Sequence, residues 1–323
     1  MSDLRIGVVG VGVMGANHAR VARQVRRAHL AAVVDRDIAR AEALARPTGA
    51  LAAASLDDAL GHIDLAVIAV PTQAHVDVVE QCFAAGAHFL VEKPIAGNVA
   101  DAERLVAGAQ QAGVTLAGGH IERFNAAVAE LPQHSEDPVH ITATRVSPYS
   151  PRIADGVIHD LMIHDLDIVL SLAGREAEVT HTAGVSRCTR SATEDLAVVS
   201  LGFDTGLTAS FVTSRIAQQK VRLLEITQAD SVVHADLVRQ DITIHRMSRH
   251  EYLADDGVRY RQSSVLEVPF LESRGEPLVR ELQDVVDAIL DRRAPTVSGT
   301  DGTRAVALAD RISATIHRET VPS

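Results

Sequence analysis

The sequence has very little cysteine and few aromatic side chains. Two of its 323 residues are Cys, none is Trp, and Phe, Tyr and Trp together make up 3%. Cys82 and Cys188 lie far apart and neither belongs to a CxxC pair, so the pattern indicates neither a zinc site nor a disulfide framework. We therefore expect two unreactive thiols and a cytoplasmic protein.

Basic residues are also fewer than acidic ones. The 31 Lys and Arg residues are outnumbered by 42 Asp and Glu residues, which gives a formal net charge of −11. Without a broad basic surface the chain is poorly suited to nucleic acid or to an anionic membrane, and we expect neither as a partner. The charge does not exclude a phosphorylated small molecule, because one local cradle suffices to bind it.

Long apolar runs are absent as well. No stretch has the length of a transmembrane segment, and "MSDLRIGVVG" leads into a strand almost at once, so we expect neither a membrane span nor a signal peptide. What the chain does have is 46% apolar and 23% charged residues, which is typical of a globular protein. Its length allows two domains with large cores.

The order of the predicted elements changes near residue 120. Over residues 4–119, apolar strands such as "LRIGVVG" and "LAVIAV" alternate with helices, which predicts a parallel, doubly wound α/β sheet covered on both faces. From 176 to 246 the chain is mostly strand-like with short turns, 250–275 is predicted as an irregular loop, and two helices close the chain. We therefore predict an α/β domain over residues 1–120 and an α+β domain with an open, mostly antiparallel sheet over 121–323.

The stretch "GVGVMG", residues 10–15, matches G-x-G-x-x-G. It follows a predicted strand and opens a predicted helix, and Asp35 ends the second strand 20 residues after Gly15. In that context Gly10 allows a tight turn, Gly12 lets the backbone approach a pyrophosphate, and Gly15 permits close packing of helix on strand. The candidate contacts in this motif, at the anion-binding start of the helix, are Gly10, Gly12, Val13, Met14 and Gly15. The motif predicts a dinucleotide-binding Rossmann domain; a glycine-rich turn without a ligand is the alternative.

The residues at the end of the second strand bear on the choice of cofactor. The carboxylate of Asp35 would accept hydrogen bonds from the ribose hydroxyls and repel a 2′-phosphate, which indicates NAD. Arg36 beside it could stack on the adenine or tolerate the 2′-phosphate of NADP. We expect NAD, with NADP as the alternative.

Two further segments end strands at the same edge of the predicted sheet. Pro71, Thr72 and His75 in "VPTQAH" follow the third strand and are expected to contact the cofactor, although His75 could equally be a helix-surface residue. Glu92 and Lys93 in "EKP" end the next strand. A Lys at this edge can hydrogen-bond a substrate hydroxyl or oxyanion, and Glu92 could pair with it or touch the ribose. The alternative is an exposed, ion-paired Lys.

The stretch "GVIHDLMIHDLDIVL", residues 156–170, is predicted as an amphipathic helix with a line of ionisable groups. At helical spacing Asp160, His164, Asp167 and Ser171 share one stripe. Either this stripe meets water, or Asp160 and His164 form an acid–base pair that faces a cleft. The spacing of Asp160 and His164 would also suit a metal, but no third ligand is evident and we expect none.

Over essentially its whole length the chain resembles the Gfo/Idh/MocA oxidoreductases. The resemblance lies in the order and spacing of four segments: "GVGVMG" with Asp35, "VPTQAH", "EKP" and "DLMIHD". Members of that family oxidise or reduce sugars and cyclitols with NAD(P). The resemblance implies that Lys93, Asp160 and His164 flank the reacting carbinol, with the nicotinamide across the cleft. His164 is then the general base, Asp160 orients it or binds substrate, and Lys93 stabilises the alkoxide or is itself the base. It also implies a homodimer or homotetramer formed through the C-terminal sheet.

Two stretches, "GGHIERFNAAV" and "RVSPYSPRIADGVIHDLMIHDLDI", are similar to family members that oxidise the C3 hydroxyl of UDP-N-acetylglucosamine to a 3-keto sugar. This closer resemblance places five side chains near the substrate: Glu122, Arg123, Asn125, Tyr149 and Arg152. The two arginines would bind the diphosphate, or else make surface or interdomain ion pairs. Those enzymes are expected to carry a Gly-Pro-aromatic-Pro-Pro-Arg run, from which Ser147 and Ser150 depart.

Together these observations predict an NAD-dependent oxidoreductase that transfers hydride between a sugar hydroxyl and nicotinamide, with a nucleotide sugar as substrate. One alternative is a dehydrogenase of a free sugar or cyclitol, of the inositol type. The other is a non-catalytic NAD-binding regulatory protein. The joint presence of Lys93, Asp160 and His164 argues against this last alternative, because a non-catalytic relative need keep none of them.

Overall fold

The computed structural model describes residues 3–150, 155–174, 177–254 and 257–320. The chain divides into two compact units. The first consists of residues 1–124 and 275–310, and the second of residues 125–274 and 311–323.

The first unit contains a parallel sheet. Within the described residues its strands are β1 (Leu4–Val9), β2 (Ala28–Val34), β3 (Leu51–Ala53), β4 (Leu65–Ile68), β5 (His88–Glu92) and β6 (Leu116–Gly119). They lie in the order β3-β2-β1-β4-β5-β6, and every pair is parallel. The order reverses between β1 and β4, which is where ligands bind in sheets of this kind. The predicted doubly wound Rossmann sheet is confirmed.

Helices connect these strands in the predicted alternation. They are α1 (Val13–Val21), α2 (Ile38–Ala45), α3 (Asp57–Leu60), α4 (His75–Ala85) and α5 (Val99–Ala112). The ends of α5 show why the sequence folds this way locally. The Asn98 side chain accepts a hydrogen bond from the Asp101 N–H at the start of the helix, and Gly113 ends it in the left-handed conformation, with φ of 67°.

A later segment completes the first unit. Helix α8 (Pro277–Leu290) buries apolar residues at helical spacing in the core formed around β1 and β2; these are Leu278, Leu282, Val285 and Val286. Because this apolar face is buried in the core of the first unit, residues 275–310 group with that unit, whereas the sequence pattern placed them in the predicted second domain, 121–323. Helix α9 (Gly299–Thr315) follows, and its first part belongs to the first unit.

The second unit is built on a large sheet. Its described strands are β7 (His140–Val146), β8 (Val179–Cys188), β9 (Leu196–Phe203), β10 (Thr208–Ser214), β11 (Val221–Thr227), β12 (Ser231–Asp236), β13 (Asp241–Ala254), β14 (Gly257–Glu267) and β15 (His317–Thr320). Their order is β14-β13-β12-β11-β7-β10-β9-β8-β15. Only β7 with β10 and β8 with β15 pair in parallel among these strands. The open, mostly antiparallel sheet is confirmed.

The irregular loop expected over residues 250–275 is wrong for its first part. Strands β13 and β14 form a long antiparallel hairpin there, with Ile244 opposite Glu267 at one end and Ala254 opposite Gly257 at the other. The stretch is polar and lacks the apolar alternation of a half-buried strand, so the sequence pattern did not reveal it.

Two helical segments belong to the second unit. Helix α6 (Ala126–His134) follows Asn125, and a π-helical turn (Ile158–Met162) runs directly into α7 (Ile163–Ala173). Strand β7 alternates buried and half-buried residues, as a sheet covered on one face requires. Of the helices in the described part of the chain, none combines the length and apolar character needed to cross a membrane.

Candidate active site

The glycine-rich turn after β1 has three different steric requirements. Gly10 has φ of 85°, and a Cβ there would lie 2.8 Å from the Val70 side chain. A Cβ on Gly15 would overlap the carbonyl oxygen of Gly10. At Gly12 no atom of the described residues, apart from its chain neighbours, lies within 4 Å of the Cβ position, so this side of the turn is open to a ligand. The geometry suits a tight turn, close packing and the approach of a pyrophosphate.

Asp35 is held at the end of β2 by backbone amides. Its Oδ2 accepts a hydrogen bond from the Val11 N–H at 2.7 Å, and its Oδ1 accepts one from the Asp37 N–H at 2.8 Å. The carboxylate thus joins the glycine-rich turn to the second strand. Each of its oxygens still has acceptor capacity for a ribose hydroxyl.

A cleft of about 990 Å³ opens at these strand ends in the first unit. Seven predicted cofactor residues line it: Gly10, Gly12, Val13, Met14, Asp35, Arg36 and Pro71. Polar residues that had not been predicted also line it, namely Arg40, Ser55, Gln73, Asp77 and Gln81. The rule that loops at strand ends face the ligand could have found Ser55 and Gln73, which follow β3 and β4.

The predicted residue Thr72 lies in a short helical turn just before α4, and His75 is the first residue of α4; neither lines this cleft. The His75 ring is buried, which rules out the helix-surface alternative. Its Nε2 lies 3.0 Å from the Val70 carbonyl oxygen and its Nδ1 3.1 Å from that of Pro94. Burial lowers the pKa of His75, and the surrounding carbonyls oppose this effect. His75 therefore ties the end of β4 to the segment that follows Lys93.

Glu92 and Lys93 lie at the end of β5. Lys93 is half-buried, and the Oε1 atom of Glu92 is 2.7 Å from Nε2 of His18, a fully buried residue of α1. Glu281 of α8 is also buried, and among the described residues its two carboxylate oxygens have no hydrogen-bond partner. Burial raises the pKa of Glu281 well above its ordinary value, and the negative charges of Glu92 and Asp284 raise it further.

The predicted substrate residues near 120 divide between the units. Glu122 and Arg123 lie in a short helical turn, Ile121–Phe124, of the first unit; Glu122 is buried and Arg123 half-buried. Asn125 is buried at the start of the second unit. Its Oδ1 caps α6 by accepting from the Ala127 N–H at 3.1 Å, and its Nδ2 donates to the Leu237 carbonyl at 2.8 Å. These contacts give Asn125 a structural role, and its contact with substrate stays a prediction.

Asp160 and His164 lie on either side of the change from π-helix to α7. Both are half-buried, whereas the neighbouring Met162 and Ile163 are fully buried, so the two polar side chains occupy the accessible side. Turns of π-helix inside α-helices are frequent at functional sites. The predicted polar stripe is interrupted at Asp167, which is buried, whereas Ser171 is half-buried.

A buried ion pair holds the first turn of α7. The guanidinium of Arg145 on β7 donates from Nε and Nη2 to the two carboxylate oxygens of Asp165, at 2.9 and 2.7 Å. Asp165 is the neighbour of His164, so the pair fixes the helix turn that carries the imidazole. A sequence signal exists: strand alternation puts Arg145 on the same buried face as Ile141 and Ala143, where a charge needs a partner.

Tyr149 is half-buried, and the guanidinium carbon of Arg190 lies 5.5 Å from the centre of its ring. The other residue predicted in this segment, Arg152, lies outside the described residues.

In the part of the chain that the structure describes, no three His, Cys, Asp or Glu side chains are grouped so that they could hold a metal ion. The candidate groups for proton transfer stay those predicted from the sequence: the Lys93 amine, the His164 imidazole and the Asp160 carboxylate.

Comparison with known proteins assigns the chain to a family. Residues 4–120 match the model of an oxidoreductase family's NAD-binding Rossmann fold, and residues 140–321 match that of the same family's C-terminal alpha/beta domain. The chain belongs to the Gfo/Idh/MocA family of oxidoreductases. It is an NAD(P)-dependent dehydrogenase acting on CH–OH groups, which sets the non-catalytic alternative aside.

Particular relatives cover nearly the whole chain. The UDP-N-acetylglucosamine 3-dehydrogenase of Acidithiobacillus ferrooxidans is 32% identical over 311 residues, covering 96% of each chain. Its solved structure has a TM-score of 0.86 at 30% identity and covers 98% of both chains. The myo-inositol 2-dehydrogenase of Thermotoga maritima is 27% identical over 323 residues, with 94% of each chain covered. GenD2 from gentamicin A biosynthesis, solved in complex with NAD, shares the fold at 24% identity, a TM-score of 0.80 and coverage of 97% and 95%.

Proposed function

We propose that this dehydrogenase oxidises the C3 hydroxyl of the sugar in a nucleotide sugar such as UDP-N-acetylglucosamine, with NAD as cofactor. The observation that carries the proposal is the likeness to a UDP-N-acetylglucosamine 3-dehydrogenase, at 32% identity over 96% of both chains. The chemistry is supported by the half-buried Asp160 and His164 on one helix, whose turn at residue 165 is held by the buried Arg145–Asp165 ion pair.

The proposed chemistry gives each unit its own part. The first unit holds the dinucleotide at the glycine-rich turn, and bound NAD supplies the hydride acceptor. Loss of hydride from the sugar carbon requires loss of the hydroxyl proton, which His164 takes as general base. Asp160 orients the imidazole or binds the substrate. Lys93 stabilises the negative charge that develops on the substrate oxygen.

The proposed choice of NAD rests on Asp35. Its carboxylate is fixed by the Val11 and Asp37 N–H groups at the rim of the cleft, where it would bind ribose hydroxyls and repel a 2′-phosphate. Arg36 and Arg40 also line this cleft, so removal of the carboxylate would leave a positive rim.

We therefore expect the substitution Asp35→Asn to shift the kcat/KM ratio of NAD over NADP toward NADP by about tenfold or more, since hydrogen bonds to a charged group contribute about 1.5–3 kcal/mol. Asp77→Asn is the matched control, because Asp77 lines the same cleft and loses the same charge. Equal shifts in the two variants would contradict the role of Asp35.

The substrate is tested by incubating the protein with NAD and, separately, UDP-N-acetylglucosamine, UDP-glucose, N-acetylglucosamine and myo-inositol. NADH absorbance reports turnover, and mass spectrometry reports a product that has lost two hydrogens. Turnover of the nucleotide sugar alone supports the proposal. Turnover of free sugar or myo-inositol instead would favour the second candidate, a cyclitol or sugar dehydrogenase, which the likeness to a myo-inositol 2-dehydrogenase supports.

We also propose that the protein self-associates through the outer face of the second unit's sheet. Several large apolar side chains are exposed on this face of the strands: Val185, Val198, Leu223, Met247 and Leu266. Val185 and Val198 are cross-strand neighbours on β8 and β9. Light scattering after gel filtration should give a dimer or tetramer that V198E dissociates. A monomeric wild-type protein would contradict this part of the proposal.

A further inference from the structure

A single buried carboxylate holds the loop between β8 and β9. Asp195 accepts hydrogen bonds from the backbone N–H groups of Thr189, Arg190 and Ser191 at 2.8, 2.6 and 3.2 Å. Burial raises the pKa of Asp195, but the hydrogen bonds from Arg190, Thr189, Arg215 and Ser191 outweigh it and hold the pKa well below its usual range. The carboxylate stays charged at neutral pH, and the backbone at residue 190 is fixed.

Arg215 joins this loop to the helix that carries Asp160. Its buried guanidinium donates to Oδ1 of Asp195 at 2.8 Å and to the carbonyl oxygen of Asp155 at 2.6 Å. The Val157 N–H also donates to the carbonyl oxygen of Glu194 at 3.1 Å. The loop is therefore attached to the residues that open the π-helical turn.

The Arg190 side chain itself is exposed. It lies against the Tyr149 ring, with 5.5 Å between the guanidinium carbon and the ring centre, and it makes no ion pair with a described residue. Other exposed arginines of the second unit do face carboxylates: Arg239 with Asp236, Arg246 with Glu267, and Arg274 with Asp241. An exposed guanidinium that rests on an aromatic ring and makes no ion pair with a described carboxylate, in a chain of net charge −11, is suited to an anionic ligand.

We propose that Arg190, presented by Tyr149, binds the diphosphate of the nucleotide-sugar substrate. The planar guanidinium can hydrogen-bond two phosphate oxygens at once, and stacking on the ring reduces the side-chain freedom lost on binding. The assignment rests on the proposed function and deepens it, because Arg190 would distinguish a nucleoside diphosphate sugar from a free sugar. No sequence motif pointed to this residue.

Calorimetric titration with UDP and steady-state kinetics with UDP-N-acetylglucosamine test the assignment. In R190Q the Kd of UDP and the KM of UDP-N-acetylglucosamine are expected to rise about 10- to 100-fold, the range for hydrogen bonds to charged groups, with kcat nearly unchanged. R239Q is the matched control, since it removes one exposed arginine of the same unit. It is expected to leave the Kd, the KM and kcat at the wild-type values.

Two further variants separate charge from geometry. R190K keeps the charge and is expected to bind UDP more tightly than R190Q but less tightly than wild type. Y149L removes the ring and keeps Arg190, and it is expected to raise the Kd of UDP. A wild-type Kd in R190Q, or equal affinities of R190K and R190Q, overturns the role of Arg190.

The failure of this assignment differs from the failure of the proposed function. If wild-type protein oxidises UDP-N-acetylglucosamine and R190Q does so with the same KM, the function stands and Arg190 has no part in it. If the wild-type protein neither binds UDP nor oxidises a nucleotide sugar, the proposed function is overturned, and the role of Arg190 with it.

Discussion

At the scale of single residues, the most unusual group is Glu281. It is buried in the first unit, its carboxylate oxygens have no hydrogen-bond partner among the described residues, and Glu92 adds negative charge nearby. Such a carboxyl is stable in the core only in its protonated form. The folded protein therefore retains a proton that the unfolded chain releases at lower pH.

This gives a prediction for stability against pH. Because the folded pKa of Glu281 is raised, its contribution to stability is present below the unfolded pKa of about 4.5 and is lost as pH rises toward the folded pKa. Glu281→Gln cannot ionise, so its free energy of unfolding should exceed that of wild type increasingly from pH 5 to pH 8, as measured by urea denaturation. Glu272→Gln, at an exposed glutamate, is the control. Parallel pH curves for wild type and Glu281→Gln would refute the prediction.

The residue scale also shows what local sequence can and cannot predict. Gly10, Gly12 and Gly15 could be assigned steric roles because each requirement arises within one turn and the strand beside it. The contact between His18 and Glu92 joins residues 74 positions apart, and Glu281, whose pKa the charge of Glu92 raises, lies in a helix much later in the chain. The sequence signal for Glu281 is that it is a charged residue within the apolar face of α8.

At the scale of elements, α7 depends on the buried pair of Arg145 and Asp165. Removing one partner leaves an uncompensated buried charge, so Asp165→Leu is expected to lower the free energy of unfolding by about 3–5 kcal/mol. The double variant Arg145→Met, Asp165→Leu should recover much of this loss, because no buried charge remains. Urea denaturation of the three proteins measures both effects.

An exposed pair gives the matched control for this prediction. Arg246 and Glu267 are 3.0 Å apart, and both side chains are well exposed. Loss of one partner there should cost about 1 kcal/mol or less. If Asp165→Leu costs no more than Glu267→Leu, the buried pair does not hold α7.

The helix over residues 156–170 was predicted from its periodicity, but its polar stripe was only partly predicted. The spacing of Asp160 and His164 survives the change from π-helix to α-helix, and both remain accessible. Asp165 and Asp167 are buried instead. Their burial arises from contacts with the rest of the second unit, which the spacing of residues along one helix does not reveal. Tertiary contacts decide which acidic groups of an amphipathic helix are available for chemistry.

At the scale of the whole molecule, the return of residues 275–310 to the first unit was not predictable from order along the chain. Apolar spacing in α8 predicts a buried face but does not say which core receives it. In the structure Leu282 is fully buried with β1 and β2 residues. The nucleotide-binding unit is thus completed by a segment that follows the second unit in sequence.

This arrangement predicts that a change in α8 destabilises the nucleotide-binding unit. Leu282→Ala leaves a cavity and should lower the free energy of unfolding by about 2–5 kcal/mol. Val268→Ala, at an exposed position, should change it by about 0.5 kcal/mol or less. Thermal unfolding followed with and without NAD measures both, and equal changes in the two variants would show that α8 contributes little to that core.

The most direct test of the central claim, that His164 is the general base, compares His164→Ala with His159→Ala, a histidine one turn earlier. Turnover is measured by NADH absorbance with whichever of the four compounds tested above the wild-type protein oxidises. The Kd of NAD is measured by calorimetry. In His164→Ala we predict a fall in kcat of about 10²- to 10⁴-fold with an almost unchanged Kd of NAD. His159→Ala should retain most of its activity. Small and equal losses of kcat and NAD affinity in His164→Ala would contradict the claim.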